Sequence, residues 1–235
     1  MKKYFYTLYI LALLVAVPAK GQTHSFEFDN GFLGTEWQFV NQPDYSKYVV
    51  SDGKLRIYSS PYELADTTSA PTSFLALPLT DSPKVIETHL TLFDAEKADE
   101  AGLCIYRSHN SYLQCCMYNN QGELRLRLRL QLLSHRLQFV EKPIALDHHE
   151  LWLRVVCDEK GFSFYYSLDD KDYLYLDRVE KRLLSPAVSD SNAPLLVGMY
   201  SFMGSGKYHS GYSFADFDYF SITPSPSEPA ISPQN

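Results

Sequence analysis

The sequence predicts an all-β protein, a two-sheet antiparallel β-sandwich of the jelly-roll type. Three observations support this prediction: apolar and polar residues alternate in many short runs, turn residues separate the runs at short intervals, and helical periodicity is nearly absent. The clearest alternation lies at Glu123 to Leu133, where leucines alternate with arginines. A run of this kind is typical of a strand with one face in a core. The chain of 235 residues shows no internal repeat and suits a single domain.

The N-terminal segment predicts export. Basic residues Lys2 and Lys3 precede an apolar run from Tyr4 to Ala19, which is too short to span a bilayer comfortably. Small residues at Ala19 and Gly21 suit cleavage before Gln22, and an alternative site lies before Lys20. We therefore expect residues 1–21 to be a signal peptide. The mature protein is expected in the periplasm, on the cell surface or outside the cell, without a membrane span.

The first half of the mature sequence predicts short strands separated by turns and loops. Asp52 and Gly53 form a dipeptide that is typical of a two-residue hairpin turn. The predicted strands of this half are Ser25 to Asn30, Glu36 to Val40, Lys54 to Tyr58, Ser73 to Leu79 and Lys84 to Phe93.

The second half continues the same pattern, and only Val179 to Leu184 admits a helical turn. The last apolar run contains two aspartates, Asp216 and Asp218, and its alternation slips near Phe220. The sandwich is expected over residues 22–223, followed by a disordered Pro/Ser-rich tail at 224–235. The predicted strands are Ala101 to Arg107, Tyr112 to Tyr118, Glu123 to Leu133, His135 to Val140, Leu151 to Cys157, Gly161 to Leu168, Leu195 to Phe202 and Phe214 to Ile222.

Charge and cysteine usage exclude some classes of function. The chain is acidic, with a formal net charge of -7, and shows no broad basic surface for nucleic acid. Its cysteines, Cys104, Cys115, Cys116 and Cys157, lie in strand-like runs and lack the spacing of a metal site. We interpret them as small buried hydrophobic residues; a disulfide between Cys104 and Cys115 across a hairpin is the alternative.

Three segments resemble a known family. In order, they are AGLCIYRSHNSYLQCCMY, LWLRVVCDEKGFSFYYSLDDKDYLYL, and VGMY followed by SFADFDYF. They resemble the concanavalin A-like β-sandwich at the C-terminus of family 43 glycoside hydrolases, the β-xylosidase and arabinofuranosidase group. The resemblance extends over nearly the whole mature chain and implies a concanavalin A-like sandwich. In that family a five-bladed propeller with three carboxylates performs hydrolysis, so the resemblance without a propeller implies an accessory module.

Catalysis by the sandwich itself is not expected. Hydrolases of this fold place acid and nucleophile in a Glu-x-Asp-x-x-Glu pattern on one strand, and no such pattern occurs. Glu27 and Asp29 share a strand face, but they lie at the start of the fold. The remaining acidic cluster lies in a predicted loop and consists of Asp94, Glu96, Asp99 and Glu100.

A sugar-binding face is the main candidate site, because aromatic rings pack on sugars while polar groups bind their hydroxyls. Trp152 and Arg154 point to the same side of one strand, and an arginine stripe points away from the leucines of another. If these strands share a sheet, they form one face for a glycan, including an acidic one; the alternative is a solvated face whose arginines pair with carboxylates. The other members of this predicted face are Arg125, Arg127, Arg129, Tyr106, Tyr112 and His109.

Two further sites are predicted. The loop from Gly204 to Gly211 carries Lys207, Tyr208 and His209 and is interpreted either as a binding loop or as a plain connection. Asp216 and Asp218 need partners, because burying a lone carboxylate costs several kcal/mol. A structural Ca²⁺ held by Asp218 and Asp29 is one interpretation, and hydrogen bonds from backbone N–H groups or an arginine are the other. No other cofactor is expected.

Three functions remain open from the sequence. The first is a secreted, non-catalytic module that binds a polysaccharide or oligosaccharide. The second is a structural partner that docks onto a separate glycoside hydrolase. The third is a glycosidase in its own right.

Overall fold

The computed structural model describes residues 23–41, 47–65, 72–80, 83–93, 99–145, 149–204 and 213–225. Within these ranges the chain forms two antiparallel sheets, a 3-10 turn and one short helix. The sheets stack with one hydrophobic core between them, as the sequence predicts. No helix in the described ranges is long and apolar enough to cross a membrane.

Sheet A contains eight strands in the order β13-β12-β11-β6-β15-β4-β3, and β1 pairs with β15 beside β4. β6 and β15 lie at its centre and bring together parts of the chain that are far apart in sequence. The strands are β1 (His24–Phe26), β3 (Tyr48–Ser51), β4 (Lys54–Tyr58), β6 (Lys84–Phe93), β11 (Glu150–Cys157), β12 (Gly161–Ser167), β13 (Leu174–Glu180) and β15 (Phe214–Pro224).

Sheet B contains seven strands in the order β10-β9-β8-β7-β14-β5-β2. Strands β7 to β10 form a meander of consecutive hairpins, and β14 returns to pair with β7 on one side and β5 on the other. The strands are β2 (Gln38–Phe39), β5 (Phe74–Pro78), β7 (Glu100–Ser108), β8 (Ser111–Asn120), β9 (Glu123–Leu132), β10 (His135–Pro143) and β14 (Leu196–Phe202).

Period-2 alternation decides which side chains enter the core. On β9 the leucines Leu124 to Leu130 are buried in the core, and the arginines point to the outer face. On β11 Leu151, Leu153 and Val155 face the core, so Trp152 and Arg154 face outward. The inward and outward assignments predicted for these two strands are confirmed.

A β-bulge explains the slip predicted in the last strand. Phe217 pairs with Leu90 and Tyr219 pairs with His89, so Asp218 is the extra residue opposite β6. The bulge lies two residues before Phe220, near which the sequence alternation slips. It keeps Phe217 and Phe220 in the core while Asp218 stays partly exposed.

The turn between β3 and β4 is the one predicted from its dipeptide. Asp52 and Gly53 have φ of 54° and 72°, the two positive values that a tight hairpin turn of this hand requires. β3 itself was not among the predicted strands. None of its four side chains is fully buried, which gives a weak alternation signal.

The outer face of sheet B is covered by the chain itself. After β4, residues 59–65 cross this face, and Ser60 forms a parallel bridge with Phe202. Leu64 packs there in a second apolar cluster with Phe74, Tyr112 and Tyr200. Sheet A and sheet B therefore differ: the outer side of sheet B has its own buried cluster.

Two further predictions can be compared with these elements. The helical turn is present as a 3-10 turn at Lys181–Leu184, followed by helix α1 at Pro186–Ser189. The four cysteines are free and buried, as their main interpretation predicts, and the alternative of a Cys104–Cys115 disulfide is wrong. Cys104 lies in the outer cluster and Cys115 in the core, so their side chains point to opposite faces of sheet B. The disordered tail predicted over 224–235 begins too early, because β15 includes Pro224 and the N–H of Ser225 donates to the carbonyl of Pro83. Residues 226–235 lie outside the described residues.

Candidate functional site

The outer face of sheet A carries a group of half-buried aromatic side chains around one arginine. We call it the aromatic face, and it consists of Trp152, Arg154, Tyr165, Tyr173 and Tyr219. Trp152 and Arg154 lie on β11, Tyr165 is the register partner of Arg154 on β12, and Tyr219 is on β15. Tyr173 comes from the segment just before β13. Strand pairing across four strands therefore places these rings on one surface.

Trp152 has a rigid support beneath it. It is the register partner of His89 on β6, and the two rings stack with centroids 4.0 Å apart and planes 12° apart. Nδ1 of the buried His89 and Oδ2 of Asp218 share a hydrogen bond of 2.7 Å. Asp218 in turn lies 3.0 Å from Nζ of Lys54. The bulge residue therefore fixes the imidazole on which the indole rests.

Arg154 is held flat at the centre of the face. Its Nε donates a 2.5 Å hydrogen bond to Oε1 of Glu87, the residue paired with it on β6. The guanidinium carbon lies 3.5 Å from the centroid of the Tyr173 ring. These contacts orient Arg154 and leave it partly exposed.

The hydroxyls of Tyr173 and Tyr219 remain protonated over the physiological pH range. Burial, followed by the negative charges of Asp170 and Glu87, raises the pKa of Tyr219 to about 12. Burial also raises the pKa of Tyr173 strongly. The Tyr173 hydroxyl donates to Oδ1 of Asp170 at 3.1 Å. The Tyr219 hydroxyl can therefore donate a hydrogen bond to a bound ligand, whereas the Tyr173 hydroxyl donates its hydrogen to Asp170 and offers its oxygen as an acceptor.

The same sheet surface continues toward β4 with a second aromatic group. Nε and Nη2 of Arg56 donate to the two carboxylate oxygens of Asp216 at 2.7 and 2.8 Å. The guanidinium of Arg56 lies 3.8 Å from the centroid of Phe214, which stacks on Phe93 at 5.1 Å. Asp216 is thus paired with an arginine, which was one of the alternatives considered for it.

This arrangement suits a ligand with both apolar and hydroxylated surfaces. The flat faces of Trp152 and the tyrosines offer apolar contact, while Arg154, Glu87 and the tyrosine hydroxyls offer donors and acceptors that point the same way. Sugars have this combination of surfaces. The described residues contain no group of three His, Cys, Asp or Glu side chains that could hold a metal.

A family model, the β-xylosidase C-terminal concanavalin A-like domain, matches residues 25–223. The chain belongs to this family. The match covers both sheets from β1 to β15 and confirms the resemblance predicted from the three sequence segments.

Solved structures agree with the β-xylosidase C-terminal domain assignment at the level of the fold. The family 43 glycoside hydrolase BlXynB from Bacillus licheniformis is 23% identical with a TM-score of 0.76, covering 86% of this chain and 39% of that chain. The xylan β-1,4-xylosidase from Bacillus halodurans is 17% identical, with a TM-score of 0.74 and coverage of 85% and 38%. This chain therefore spans well under half the length of these enzymes.

A third similar structure has no stated activity. A functionally unknown protein from Saccharomyces cerevisiae is 15% identical with a TM-score of 0.61. The match covers 86% of this chain and 100% of that chain. The fold of this chain therefore also occurs as a whole crystallised chain.

The predicted sugar-binding residues do not form one face. Trp152 and Arg154 lie on sheet A, whereas Arg127 and Arg129 lie on β9 of sheet B, so the expectation that their strands share a sheet is wrong. Tyr106 and Tyr112 also lie on sheet B, where their rings stack at 6.3 Å. The arginine stripe and Trp152 are therefore on opposite outer surfaces of the sandwich.

The sheet B members of the predicted face are engaged in a buried ionic cluster. Arg129 donates 2.6 Å hydrogen bonds to Glu100 and to Gln114, and Arg127 also donates to Glu100. Arg129 and Tyr112 are only 4% and 1% exposed. Carboxylate pairing of these arginines, the alternative considered from the sequence, is what the structure shows. In this arrangement they are not accessible to a glycan.

The remaining predicted residues have different outcomes. Arg125, on the same stripe, pairs with Glu123 and Glu141. His109 lies in the β7–β8 turn, away from the aromatic face, and is partly exposed. Tyr208 and His209 lie outside the described residues, so the prediction for their loop stays a prediction.

The two aspartates of the calcium hypothesis have other contacts in the described part of the chain. Asp218 is already held by Lys54 and His89. Asp29 lies near the β3–β4 turn, with Oδ1 3.0 Å from where a Cβ on Gly53 would be. A cation beside Asp218 would compete with the lysine for the same oxygen. Calcium binding by Asp29 and Asp218 stays a prediction for direct measurement.

The sequence did not single out His89, Tyr173 and Tyr219 as site residues. His89 alternates with the core residues of β6, and that position on an outward face was its only signal. Tyr173 and Tyr219 join the site through the pairing of distant strands, which alternation alone does not give. Glu100, placed by the sequence in an acidic loop cluster with Asp99, is the buried partner of two arginines at the start of β7; Asp94 and Glu96 lie outside the described residues.

Proposed function

We propose that this protein is an exported, non-catalytic carbohydrate-binding module that holds a polysaccharide or oligosaccharide on the aromatic face. The observation that carries the proposal is the Trp152 indole, half-buried and supported by His89 beside the oriented Arg154. A ring fixed in this way loses little conformational entropy on binding, which favours affinity. Membership of the β-xylosidase C-terminal domain family supports a carbohydrate-related role.

The names of the similar structures suggest the first ligands to test. One is a xylan β-1,4-xylosidase and another is assigned to a xyloglucan utilisation locus of Bacteroides ovatus, which is 20% identical with a TM-score of 0.74. Xylan, arabinoxylan and xyloglucan are therefore the glycans we expect this module to retain. Hydrolysis of aryl xylosides by the pure protein is not expected.

Affinity gel electrophoresis tests the proposal directly. The native protein should be retarded in gels that contain one of these polysaccharides, and Trp152→Ala should remove the retardation. Phe32→Ala is the matched control, because Phe32 is an aromatic residue 71% exposed outside the aromatic face. Circular dichroism should show that both variants keep the sheet fold. Equal retardation of Trp152→Ala and native protein would contradict the proposed site.

Export is a separate part of the proposal. The N-terminal basic and apolar segment supports it, and cleavage is expected before Gln22 or before Lys20. Intact mass measurement of the protein from its native compartment tests this. A mass that includes residues 1–21 would contradict it.

A second function, docking onto a separate glycoside hydrolase, is favoured by one observation. The edge strands β10 and β13 expose apolar side chains on the same side of the sandwich, including Leu137 at 47% and Leu174 at 52%. Exposed apolar side chains at a shared edge are typical of protein contact sites. Co-purification with a hydrolase that is lost in Leu137→Asp, together with no glycan retention, would favour this function over the first.

A further inference from the structure

A cavity of about 1110 Å³ opens at one end of the sandwich. Its walls come from the end of β7, the β11–β12 turn, the end of β13, and the 3-10 turn with the segment that follows it. It is separate from the aromatic face. Trp152 lies near the start of β11 and the turn follows its end, about 20 Å away at roughly 3.3 Å per residue.

The lining of the cavity is positively charged, although the protein as a whole carries a net charge of -7. Two acidic side chains, Glu159 and Glu180, line it with five cationic ones. Asp158 pairs with Arg178, one of these five cations. The cationic side chains are Arg107, Lys160, Arg178, Lys181 and Arg182.

Two of the arginines are oriented by fixed contacts. Nη2 of Arg178 lies 2.7 and 2.8 Å from the oxygens of Asp158, and Nη1 donates to Oγ of Ser163 at 2.7 Å. Gly161 permits the close approach of β12 to β13, because a Cβ there would lie 2.6 Å from the carbonyl oxygen of Val179 and 3.3 Å from Nε of Arg178. Arg107 donates to the carbonyl oxygens of Leu184 and Ala193, which orient its guanidinium.

Two lysines start from adjacent points of the backbone at the cavity. The N–H of Lys181 donates to the carbonyl of Lys160 at 2.9 Å. Both lysine side chains line the cavity and add to its positive charge. The exposed prolines Pro186 and Pro194 form an apolar part of the same lining.

We propose that this cavity binds the acidic group of a glycan, a carboxylate or a sulfate ester, with the adjoining sugar ring packed on Pro186 and Pro194. The inference rests on the proposed function, because it takes a glycan as the ligand. The cavity would then select acid-substituted chains over neutral ones, while the aromatic face supplies the contact common to both. Guanidinium groups suit both anions, since they donate two parallel hydrogen bonds.

Calorimetric titration of the mature protein tests the proposal with three matched probes. They are a neutral xylo-oligosaccharide, the same oligosaccharide with a glucuronic acid substituent, and a sulfated oligosaccharide of equal length. The acidic ligands should bind roughly fivefold more tightly than the neutral one at low salt, as expected for exposed charge pairs. High salt should reduce this preference. Comparing the two acidic probes tells carboxylate from sulfate.

Charge-reversal variants assign the preference to the cavity. Arg182→Glu and Lys160→Glu should each remove most of the preference without weakening neutral ligand binding. Arg136→Glu is the matched control. Like Arg182, which pairs with Glu180, Arg136 is an exposed arginine paired with one glutamate, Glu63, but it lies on β10 of sheet B. An unchanged preference in Arg182→Glu and Lys160→Glu, or an equal loss in Arg136→Glu, overturns the proposal.

Failure of the proposed function can be recognised separately. Trp152→Ala should weaken binding of all three probes and keep their ratio. If no oligosaccharide binds, the proposed function fails, and glucuronate and inorganic sulfate are then titrated with amide chemical shifts as the readout. Shifts confined to residues 160–161 and 181–182 would keep the cavity as an anion site, and no shifts there would overturn it.

Discussion

Nδ1 of His89 lies 2.7 Å from Oδ2 of Asp218, so a carboxylate on one central strand fixes the imidazole of its neighbour. The imidazole in turn forms the support on which Trp152 stacks. The orientation of the main aromatic residue therefore depends on a side chain that does not itself face the ligand. This dependence can be tested by changing the support and leaving the indole in place.

His89→Ala should weaken glycan retention about tenfold or less, because it removes a ring stack that typically contributes about 0.5–1.5 kcal/mol. His89→Phe keeps a flat ring under Trp152 and should retain most of the binding. Titration of both variants, together with their tryptophan fluorescence, checks this. Equal binding by the Ala and Phe variants would show that the support does not matter.

Glu100→Ala should destabilise the protein by about 3–5 kcal/mol. It leaves the guanidinium groups of Arg127 and Arg129 buried together without their shared carboxylate. Glu123→Ala removes a carboxylate from the more exposed ion pair with Arg125, which lies on the same strand as Arg127 and Arg129. This change should cost less than about 1 kcal/mol. Urea unfolding of the two variants measures the difference. Similar losses would mean that the Glu100 cluster contributes no more than a surface pair.

Arg56→Ala and Asp216→Ala should have unequal effects. Asp216 is 4% exposed, so removing Arg56 leaves a buried carboxylate unpaired and should cost about 2–4 kcal/mol. The reverse change leaves Arg56, whose side chain is 38% exposed and can be solvated, and should cost about half as much. A double-mutant cycle by chemical denaturation gives the coupling. A cycle without coupling would contradict this account.

Asp158→Asn should change how stability depends on acid pH. The hydrogen bonds from Arg178 lower the pKa of Asp158 to about 2, against about 3.9 in an unfolded chain. Because the folded pKa is depressed, the contribution is present above about pH 4 and is lost as the pH falls toward 2. The carboxylate is exposed, so the contribution should stay below about 1 kcal/mol. Urea unfolding from pH 5 to 2 should show the two proteins converging, and a constant difference would contradict the assignment.

The sequence predicted which side chains of each long strand face the core and which face outward, because alternation is a local property. Leu126 and Leu153 lie in the core, and Arg127 and Trp152 face outward, as expected. Family membership was also predictable, from motifs spread along the chain. These two results cover most of the fold.

The assignment of strands to sheets could not be predicted from alternation. Arg56 and Asp216 meet on paired strands although 160 positions separate them, and nothing local in either run indicates the other. The same limit placed Trp152 and Arg129 on one expected face when they belong to different sheets. Burial of Arg129 beneath residues 59–65 likewise depends on where a connecting segment crosses. The sequence therefore predicted Trp152 and Arg154 of the candidate site, but not the tyrosines around them.

The single extra residue at Asp218 has a consequence for how the chain can vary in length. A chain without this position would pair Phe217 with Leu90 and Tyr219 with His89 in a regular ladder, and Phe220 and Ile222 would still face the core. Homologous chains can therefore lack this residue without turning the last strand over, but they lose the carboxylate that holds His89. Loss of a residue farther along the strand, where no extra one is present, would instead exchange its inner and outer faces.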